Sequence, residues 1–309
     1  MKKISIITPV YNEEENIETI ISATKDVLES LSHLDYEHIF IDNNSKDRTK
    51  DILRDFAQKN KKIKVIFNTK NFGYIRSSYY GILQGTGDAL ILMSADMQDP
   101  PELIYEFIKQ WETGKNIILA QKINSNENLV IKYIRKIYYI IIQKISENSL
   151  SKDTLGFGLY AKSIIDATKE INDSYPYFRG IITEVDDDIH LIPYTQPKRK
   201  FGKTKFNFLS MYDVAITGIV KHSKVPIRFM SIVGFLSSIL SMLIALGYFV
   251  YKLLSWDSFM GGIAPALIGI YTLASFQLFF MGLVGEYILS MHSNIRKIPL
   301  VFEKERLNF

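Results

Sequence analysis

Short apolar runs alternate with segments of helical periodicity over the first 120 residues of the chain. Five runs have the length and the β-branched or aromatic character of strands, at residues 4–8, 37–41, 63–67, 89–93 and 116–120. The segments between them, 14–31, 47–58, 74–84 and 100–111, repeat apolar residues at helical spacing. This order predicts an α/β fold with a mostly parallel sheet and helices on both faces.

The pattern changes after Pro226, where Ile, Leu, Phe, Met and Gly dominate. Two runs, residues 229–251 and 258–285, carry no charged side chain. As a helix rising about 1.5 Å per residue, the first run covers roughly 34 Å, enough to cross the hydrocarbon core of a bilayer. Buried helices of a soluble domain are the alternative, but such helices rarely run this long without a charge. We therefore predict a transmembrane hairpin over residues 229–289 and a tail over 290–309.

The distribution of cations predicts the orientation of this hairpin. The connecting loop, residues 253–262, holds Asp257 and no cation, whereas Lys and Arg residues flank the two spans on their other sides. By the positive-inside rule, both termini and the soluble part lie in the cytoplasm. Lys2 and Lys3 lead directly into the first strand, so we expect no signal peptide there. The predicted location is the cell membrane.

A basic cluster precedes the first span, although the net charge of the chain is only +4. Its cations are Lys198, Arg199, Lys200, Lys203, Lys205, Lys221, Lys224 and Arg228. Residues 129–145 and 206–220 combine apolar side chains with scattered charges, a pattern typical of helices in the interface plane. For the first of them, burial against the sheet is an open alternative. The predicted order is a soluble domain over 1–200, a basic juxtamembrane segment over 201–228, the hairpin and the tail.

Polar clusters follow four of the predicted strands, at residues 9–13, 42–45, 68–73 and 94–99. The carboxyl ends of parallel strands share one edge of a sheet, where ligands of such folds bind, so we expect one common site. Each cluster alone could be a helix cap or a turn. The first turn lacks the glycines of a dinucleotide-binding loop, which excludes hydride transfer. The chain has no cysteine, which excludes thiolate chemistry.

The last cluster predicts a metal site. Asp96 and Gln98 offer a carboxylate and an amide oxygen at alternating positions of a short turn, and such hard ligands suit Mg²⁺ or Mn²⁺. A metal bound beside a diphosphate neutralises the charge of a departing nucleotide. The cluster therefore favours group transfer from a nucleotide-linked donor.

Taken together, these motifs resemble family 2 glycosyltransferases of the GT-A fold, and among them the polyprenyl-phosphate (dolichol- or undecaprenyl-phosphate) sugar transferases. The matching motifs are Thr-Pro-Val-Tyr-Asn-Glu-Glu at 8–14, Ile-Asp at 41–42, Asn-Phe-Gly at 71–73, Gly-Asp at 87–88, Ala-Asp-Met-Gln-Asp-Pro-Pro-Glu at 95–102 and Gly-Lys-Thr-Lys-Phe at 202–206. The two predicted spans are similar to those of bacterial lipid-phosphate glucosyltransferases. The resemblance implies inverting, metal-dependent transfer of a sugar from a UDP- or GDP-linked donor to a polyprenyl phosphate.

The resemblance also implies roles for individual residues. The residues implied to bind the nucleotide-sugar are Pro9, Tyr11, Glu13, Asp42, Asn43 and Asn71. Asp96 is implied to be catalytic and to hold the metal with Gln98. Arg199 and Lys205 match basic positions of the family and are implied to bind the acceptor phosphate during transfer, with Arg135 as a third candidate. A lipid phosphate is already an anion near pH 7, so no catalytic base is required. Binding of anionic membrane lipid is the alternative for the basic cluster.

Some positions depart from the family pattern. Asn43 and Ser94 each replace an acid. The metal loses one formal charge, which predicts either weaker metal binding or more coordination by the diphosphate. Gly156 and Gly158 stand where many relatives carry Asp and Arg. A different sugar or acceptor pocket would follow from the second pair.

Two other functions stay open. Gln-Pro-Lys-Arg at 196–199 is similar to the Gln-x-x-Arg-Trp signature of membrane polysaccharide synthases, although Lys200 replaces the Trp. A catalytically degenerate membrane scaffold is the other alternative. The expected partners are the nucleotide-sugar, polyprenyl phosphate, membrane lipid and further copies of the chain, with no nucleic acid.

Overall fold

The computed structural model describes residues 1–124, 154–171, 173, 176–197, 225–254, 263–295 and 298–309. The strands of this part of the chain are β1 (Lys2–Val10), β2 (Leu34–Asp42), β3 (Ile63–Asn68), β4 (Ala89–Leu92), β5 (Ile117–Asn124), β6 (Thr154–Ala161), β7 (Ile189–Thr195) and β8 (Glu303–Leu307). They form one sheet in the order β7-β5-β6-β4-β1-β2-β3-β8. The pairs β1–β2, β1–β4, β2–β3 and β5–β7 are parallel, while β6 and β8 run antiparallel to their neighbours. The prediction of a mostly parallel sheet is confirmed.

Helices cover both faces of this sheet. They are α1 (Ile17–Ser30), α2 (Thr49–Lys59), α3 (Tyr74–Gln84), α4 (Leu103–Glu112), α5 (Lys162–Lys169) and α6 (Phe178–Val185). One buried cluster joins α1, α2 and α4 to the sheet through residues such as Leu53 and Phe107. A second cluster on the opposite face joins α3, α5 and α6 through residues such as Tyr79 and Ile165. The four helices predicted from periodicity are all present. The predicted bounds 74–84 match α3, whereas α1, α2 and α4 begin later than predicted, at Ile17, Thr49 and Leu103.

Alternation within the strands accounts for the two cores. In β1, Ile4 and Ile6 belong to the first cluster, and Ile7 belongs to the second, because successive side chains of a strand point to opposite faces. All three are fully buried. A strand that is apolar on both faces fits the interior of a sheet covered by helices on each side.

The C-terminal strand β8 lies at the sheet edge, antiparallel to β3, and pairs Leu307 with Val65 and Arg306 with Ile66. The sequence pattern indicated a tail over 290–309 and no strand there. Residues 303–306 read Glu-Lys-Glu-Arg, without the apolar alternation used to find strands. Charged side chains are common on edge strands because they discourage pairing with another chain.

Two long helices follow the α/β domain, α7 (Val225–Leu254) and α8 (Ile263–Ile295). Among the described residues, one stretch is long and apolar enough to cross a membrane, Thr272–Leu289 in α8, with a mean hydropathy of 1.4. The predicted span 229–251 lies within α7, where the described apolar stretch, Val225–Ser237, is shorter than a membrane span. That span stays a prediction. The segments 129–145 and 206–220, the loop 255–262 and the basic cluster from Lys198 to Lys224 lie outside the described residues.

Candidate active site

The carboxyl ends of β1, β2, β3 and β4 lie along one edge of the sheet, because these strands are parallel. Val10 pairs with Asp42, and Asp42 pairs with Phe67. The loops that leave these strands, residues 11–16, 43–48, 69–73 and 93–99, therefore adjoin one another. We call this edge the carboxyl rim. It brings together all of the predicted nucleotide-binding and metal-binding residues.

Hydrogen bonds join the first two loops of the carboxyl rim. The backbone N–H of Asn12 donates to Ser45 Oγ at 2.8 Å, and the backbone N–H of Lys46 donates to Asn12 Oδ1 at 2.7 Å. The backbone N–H of Glu13 donates to Thr49 Oγ1 at 2.9 Å. Asn12 has a φ of 53°, a left-handed conformation that Asn adopts more readily than most residues. These bonds fix the backbone that follows Tyr11.

The predicted nucleotide-binding residues of β1 and its loop differ in exposure. Pro9 is buried within the strand, whereas Tyr11 and Glu13 are partly buried on the loop. Glu13 Oε2 accepts a hydrogen bond from Asn16 Nδ2 at 2.7 Å, and Asn16 stands immediately before α1. The Glu13 carboxylate is thereby tied to the start of that helix.

Asp42 ends β2 with a fully buried carboxylate. Burial raises its pKa, while hydrogen bonds from Ser45 and the charge of Lys50 act in the opposite direction. The backbone N–H of Ser45 lies 3.2 Å from Oδ1 and 3.1 Å from Oδ2. Asp42 therefore shapes the turn of its own loop at the centre of the carboxyl rim.

Asn43 uses its side-chain oxygen inside the protein. Oδ1 accepts hydrogen bonds from Asn68 Nδ2 at 3.0 Å, from Ser77 Oγ at 2.5 Å and from the backbone N–H of Phe72 at 3.4 Å. The residue is only 3% exposed. An amide at this position supplies the acceptor without burying a charge, which gives a physical reason for Asn here. Asn43 thus joins β2, β3 and α3 beneath the rim.

Asn71 lies in the loop that leaves β3 and is exposed. Its Oδ1 accepts a hydrogen bond from the backbone N–H of Gly73 at 2.8 Å. Gly73 has a φ of 83° and directly precedes α3, a conformation in which glycine is strongly favoured. This turn presents the Asn71 amide on the carboxyl rim next to the Asp42 loop.

The loop that leaves β4 carries the predicted metal ligands. The backbone N–H of Ser94 donates to Asp99 Oδ2 at 2.8 Å, and the backbone N–H of Gln98 donates to Asp96 Oδ1 at 3.2 Å. Met97, between the two predicted ligands, is left-handed with a φ of 59°. These constraints hold Asp96 and Gln98 partly buried on the carboxyl rim.

Asp99 belongs to the polar cluster 94–99, but the sequence interpretation gave it no individual role in the site. It is 4% exposed, and burial raises its pKa to about 6, against the hydrogen bonds of Ser94 and the charge of Lys122. Lys122, at the carboxyl end of β5, is 8% exposed. A signal for Lys122 was present in the sequence, because it follows the predicted strand 116–120 as the other polar residues follow theirs. Asp99 therefore supports the loop of Asp96 from below.

Comparison with known proteins places the chain in a family. The profile of glycosyl transferase family 2 matches residues 5–189, which include the whole carboxyl rim. The chain belongs to glycosyl transferase family 2. Its α/β sheet with helices on both faces is the GT-A-like fold of that family.

Several relatives extend this similarity over nearly the whole chain. An uncharacterized glycosyltransferase of Synechocystis is 29% identical over 96% of this chain and 93% of its own length. The bactoprenol glucosyl transferase of Shigella phage SfX is 27% identical over 98% of this chain and 99% of its own length. Among solved structures, the mannosyltransferase PcManGT from Pyrobaculum calidifontis with GDP-Man and Mn²⁺ is 13% identical, with a TM-score of 0.47, over 95% of this chain and 87% of that chain.

The donor set of this family 2 glycosyltransferase suits a metal that is shared with its substrate. Within the described part of the chain, no three His, Asp or Glu side chains cluster as a metal site of protein ligands would require. Mg²⁺ at a nucleotide site commonly takes one or two carboxylates and fills its remaining positions with phosphate oxygens and water. One carboxylate, Asp96, and one amide, Gln98, fit that arrangement.

Gly156 and Gly158 occupy positions in β6 that leave little freedom for other residues. Gly156 has a φ of 90°. A Cβ at Gly158 would lie 2.2 Å from the carbonyl oxygen of Ile118 on the neighbouring strand. The fold of this chain therefore requires glycine at 158 for close pairing of β5 and β6. The predicted acceptor residues Arg135, Arg199 and Lys205 lie outside the described residues.

Proposed function

We propose that this protein transfers a sugar from a UDP- or GDP-linked donor to a polyprenyl phosphate at the cytoplasmic face of the membrane. The observation that carries the proposal is the alignment of bactoprenol glucosyl transferases over at least 93% of this chain and of their own lengths. Bactoprenol is a polyprenol, and its phosphate ester is a lipid anion. An alignment of this extent includes the segments that follow the α/β domain as well as the domain itself.

The donor binds on the carboxyl rim in this proposal. The loops bearing Tyr11, Glu13 and Asn71 surround the nucleoside, with Pro9, Asp42 and Asn43 fixing the strand ends beneath them. The support is geometric, since these residues meet on one edge of the sheet, where parallel α/β folds bind ligands. The diphosphate and sugar of the bound donor would extend from the nucleoside to the Asp96 loop, which follows β4, the strand next to β1.

Asp96 and Gln98 would hold Mg²⁺ or Mn²⁺ together with the donor's diphosphate, and the ion would offset negative charge on the departing nucleotide. The acceptor phosphate attacks the anomeric carbon as an anion, the bond from that carbon to the diphosphate breaks, and the nucleoside diphosphate leaves. One displacement of this kind inverts the anomeric configuration. Because the attacking oxygen carries no proton at neutral pH, the protein needs to orient the acceptor and not to deprotonate it.

The acceptor is held at the membrane surface by cations. We assign this role to Arg199 and Lys205, with Arg135 as a third contact. The span in α8 and the predicted span 229–251 anchor the protein with both termini in the cytoplasm, and residues 201–228 form the basic connection between the domain of residues 1–200 and the hairpin. An Arg or Lys near a lipid phosphate makes a charge-assisted hydrogen bond.

The test is transfer from a panel of radiolabelled UDP- and GDP-sugars to purified polyprenyl phosphate in detergent, with Mn²⁺ or Mg²⁺. We expect a solvent-extractable lipid product from one donor, formed at least about a hundredfold more slowly by Asp96→Asn. An insoluble polymer instead of a lipid product would identify a polysaccharide synthase. Failure to release UDP or GDP from any donor, with either metal and with acceptor present, would favour a membrane scaffold.

A further inference from the structure

The chain returns to the α/β domain after its last membrane helix. Two residues separate Ile295, the end of α8, from Ile298, and β8 then pairs with β3 along the sheet edge. We call residues 298–309 the C-terminal clasp. β3 is also the strand whose loop, residues 69–73, forms part of the carboxyl rim. The clasp therefore lies between the membrane helix and the proposed donor site.

The first half of the clasp directly contacts loop 69–73 of the carboxyl rim, which we call the rim loop. The carbonyl oxygen of Phe302 accepts two hydrogen bonds from Thr69, one from the backbone N–H at 2.9 Å and one from Oγ1 at 3.1 Å. The rings of Phe72 and Phe302 lie 6.1 Å apart between centroids. Arg76 donates to the carbonyl oxygen of Pro299 at 2.6 Å, and its guanidinium lies 5.3 Å from the Phe72 ring centroid.

The rim loop is held from its other side by the loop that leaves β2. Asn44 Nδ2 donates to the carbonyl oxygen of Thr69 at 3.0 Å, and the backbone N–H of Phe72 donates to Asn43 Oδ1. Thr69 and Phe72 thus each contact the clasp on one side and the Asp42 loop on the other. Asn71 lies between them on the carboxyl rim.

The second half of the clasp has its own attachment to the domain, away from the rim. Asn308 Nδ2 donates to the carbonyl oxygens of Ala57 at 2.6 Å and Ile63 at 2.8 Å, and Arg54 pairs with Glu305 at 2.5 Å. These contacts and the β3–β8 ladder hold the strand independently of its contacts with loop 69–73. Phe302 is 51% exposed, so removing its ring should cost the fold only part of what removal of a fully buried ring would cost.

We propose that the C-terminal clasp is a positioning element of the donor site. The positioning residues are Phe302 of the clasp and Arg76 of α3, which contacts the clasp. The clasp holds loop 69–73 in the conformation that binds the donor's nucleotide, so the segment leaving the membrane helix sets donor affinity. This inference rests on the proposed function, in which the carboxyl rim binds a nucleotide-sugar. Ordering a loop before binding improves affinity because the loop no longer loses conformational entropy on binding.

The test uses the full chain in detergent and measures the affinity for UDP and GDP with Mn²⁺ by calorimetry. Phe302→Ala and Arg76→Met should each weaken binding of the preferred nucleotide by about five- to tenfold. In transfer assays, the KM for the donor should rise by a similar factor, with kcat and the KM for polyprenyl phosphate little changed. Asn308→Gly is the matched control, because it removes contacts at the far end of the clasp and keeps the left-handed backbone found there, with a φ of 64°.

Comparison with the control decides between positioning and simple stabilisation. Asn308→Gly should lower the thermal midpoint at least as much as Phe302→Ala and leave nucleotide affinity unchanged. Wild-type affinity in both rim-side variants, or an equal loss in Asn308→Gly, would overturn the positioning role while leaving the proposed function intact. If the wild-type chain bound neither nucleotide, the proposed donor site would fall, and this inference with it.

Discussion

Asn68 donates a hydrogen bond from Nδ2 to Oδ1 of Asn43 at 3.0 Å, and both side chains are buried where β2 and β3 end. The orientation of this pair is fixed by Phe72, because its backbone N–H can only donate and Asn43 must present oxygen to it. Asn68 must then turn its NH₂ towards Asn43. The side-chain oxygen of Asn68, Oδ1, is buried, and the described residues offer it no hydrogen-bond partner. The amide pair therefore supports the carboxyl rim from inside the protein.

Removing the Asn43 amide should destabilise the domain. Asn43→Ala leaves Asn68 Nδ2 and Ser77 Oγ without their shared acceptor, and we expect a loss of about 2–4 kcal/mol in the free energy of unfolding. Asn43→Asp keeps an oxygen for all three donors and should lose less than Asn43→Ala. Denaturant unfolding followed by circular dichroism would measure both. Asn44→Gly, at the partly exposed neighbouring position, should lose less than about 1 kcal/mol.

Asp96 should be the most sensitive residue of the proposed metal site. Asp96→Asn retains an oxygen for the backbone N–H of Gln98 and removes the carboxylate charge that would hold the metal. We expect kcat to fall at least about a hundredfold, with thermal stability unchanged, because charge on the departing diphosphate is no longer offset. Gln98→Ala should show a smaller loss. Near-normal turnover of Asp96→Asn at saturating Mn²⁺ would remove Asp96 from the metal site.

The cations proposed to bind the acceptor phosphate should differ in their effect on transfer from cations that only attract anionic membrane lipid. Arg199→Gln and Lys205→Gln should each lower transfer to polyprenyl phosphate in detergent about tenfold to a hundredfold, since a charge-assisted contact to the phosphate is lost. Nucleotide affinity should hardly change. Lys221→Gln, in the same basic cluster, serves as the control and should have little effect. Equal, small losses in all three variants would leave the cluster as a lipid-binding surface.

The domain should lose stability in acid through two neighbouring residues of β2. Burial lowers the pKa of His38 from 6.5 to about 3. In the unfolded chain, His38 is protonated below about pH 6.5, whereas in the folded chain it stays neutral down to about pH 3. The free energy of unfolding therefore falls as the pH drops through this interval. The loss approaches about 1.4 kcal/mol per pH unit. His38→Gln should flatten the decline between pH 6.5 and 4.5 in unfolding experiments.

Glu37 adds a second loss at lower pH. Burial would raise its pKa, but hydrogen bonds from Lys3, Lys64, Ser5 and Thr86 outweigh burial and lower the pKa from 4.5 to about 2. Its stabilising contribution is therefore complete above about pH 4.5 and is lost as the pH falls towards 2. Glu37→Gln should remove the loss of stability below about pH 4.5 that is due to Glu37 and leave the loss due to His38 unchanged. An identical acid profile in the wild type and Glu37→Gln would contradict the assignment.

Gly158 should tolerate no side chain. A Cβ there would lie 2.2 Å from the Ile118 carbonyl oxygen and 2.8 Å from Leu119 Cδ2, so Gly158→Ala should lose about 3 kcal/mol of stability. Gly114→Ala tests a different cost, that of a left-handed backbone without a clash, because Gly114 has a φ of 98° and open space around it, whereas Gly158 has no positive φ. Gly114→Ala should lose only about 1–2 kcal/mol. Equal losses would mean that the strands separate easily to admit a side chain.

The sequence alone determined the elements that carry a strong periodic signal. The five strands and four helices of the first 120 residues follow from their apolar pattern, because burial of one face against a layered sheet dictates which positions are apolar. The placement of the polar clusters on one edge followed as well, since parallel strands end on the same side. The apolar pattern did not predict the strands β6, β7 and β8. β6 contains two glycines, and β8 is mostly charged, so neither shows the alternation of a typical strand.

Only the tertiary structure decided which polar residues of the carboxyl rim turn inward. Asn43 was predicted to bind the donor, but its oxygen bonds Asn68, Ser77 and Phe72, residues 25 to 34 positions away along the chain. Long-range pairing also decided that the clasp reaches loop 69–73, because β8 adds to the edge of β3 from the far end of the chain. Residue type and local spacing report which face of an element is buried. They do not report which distant side chain it meets there. Those long-range contacts separate the rim residues that are buried as supports from those left exposed.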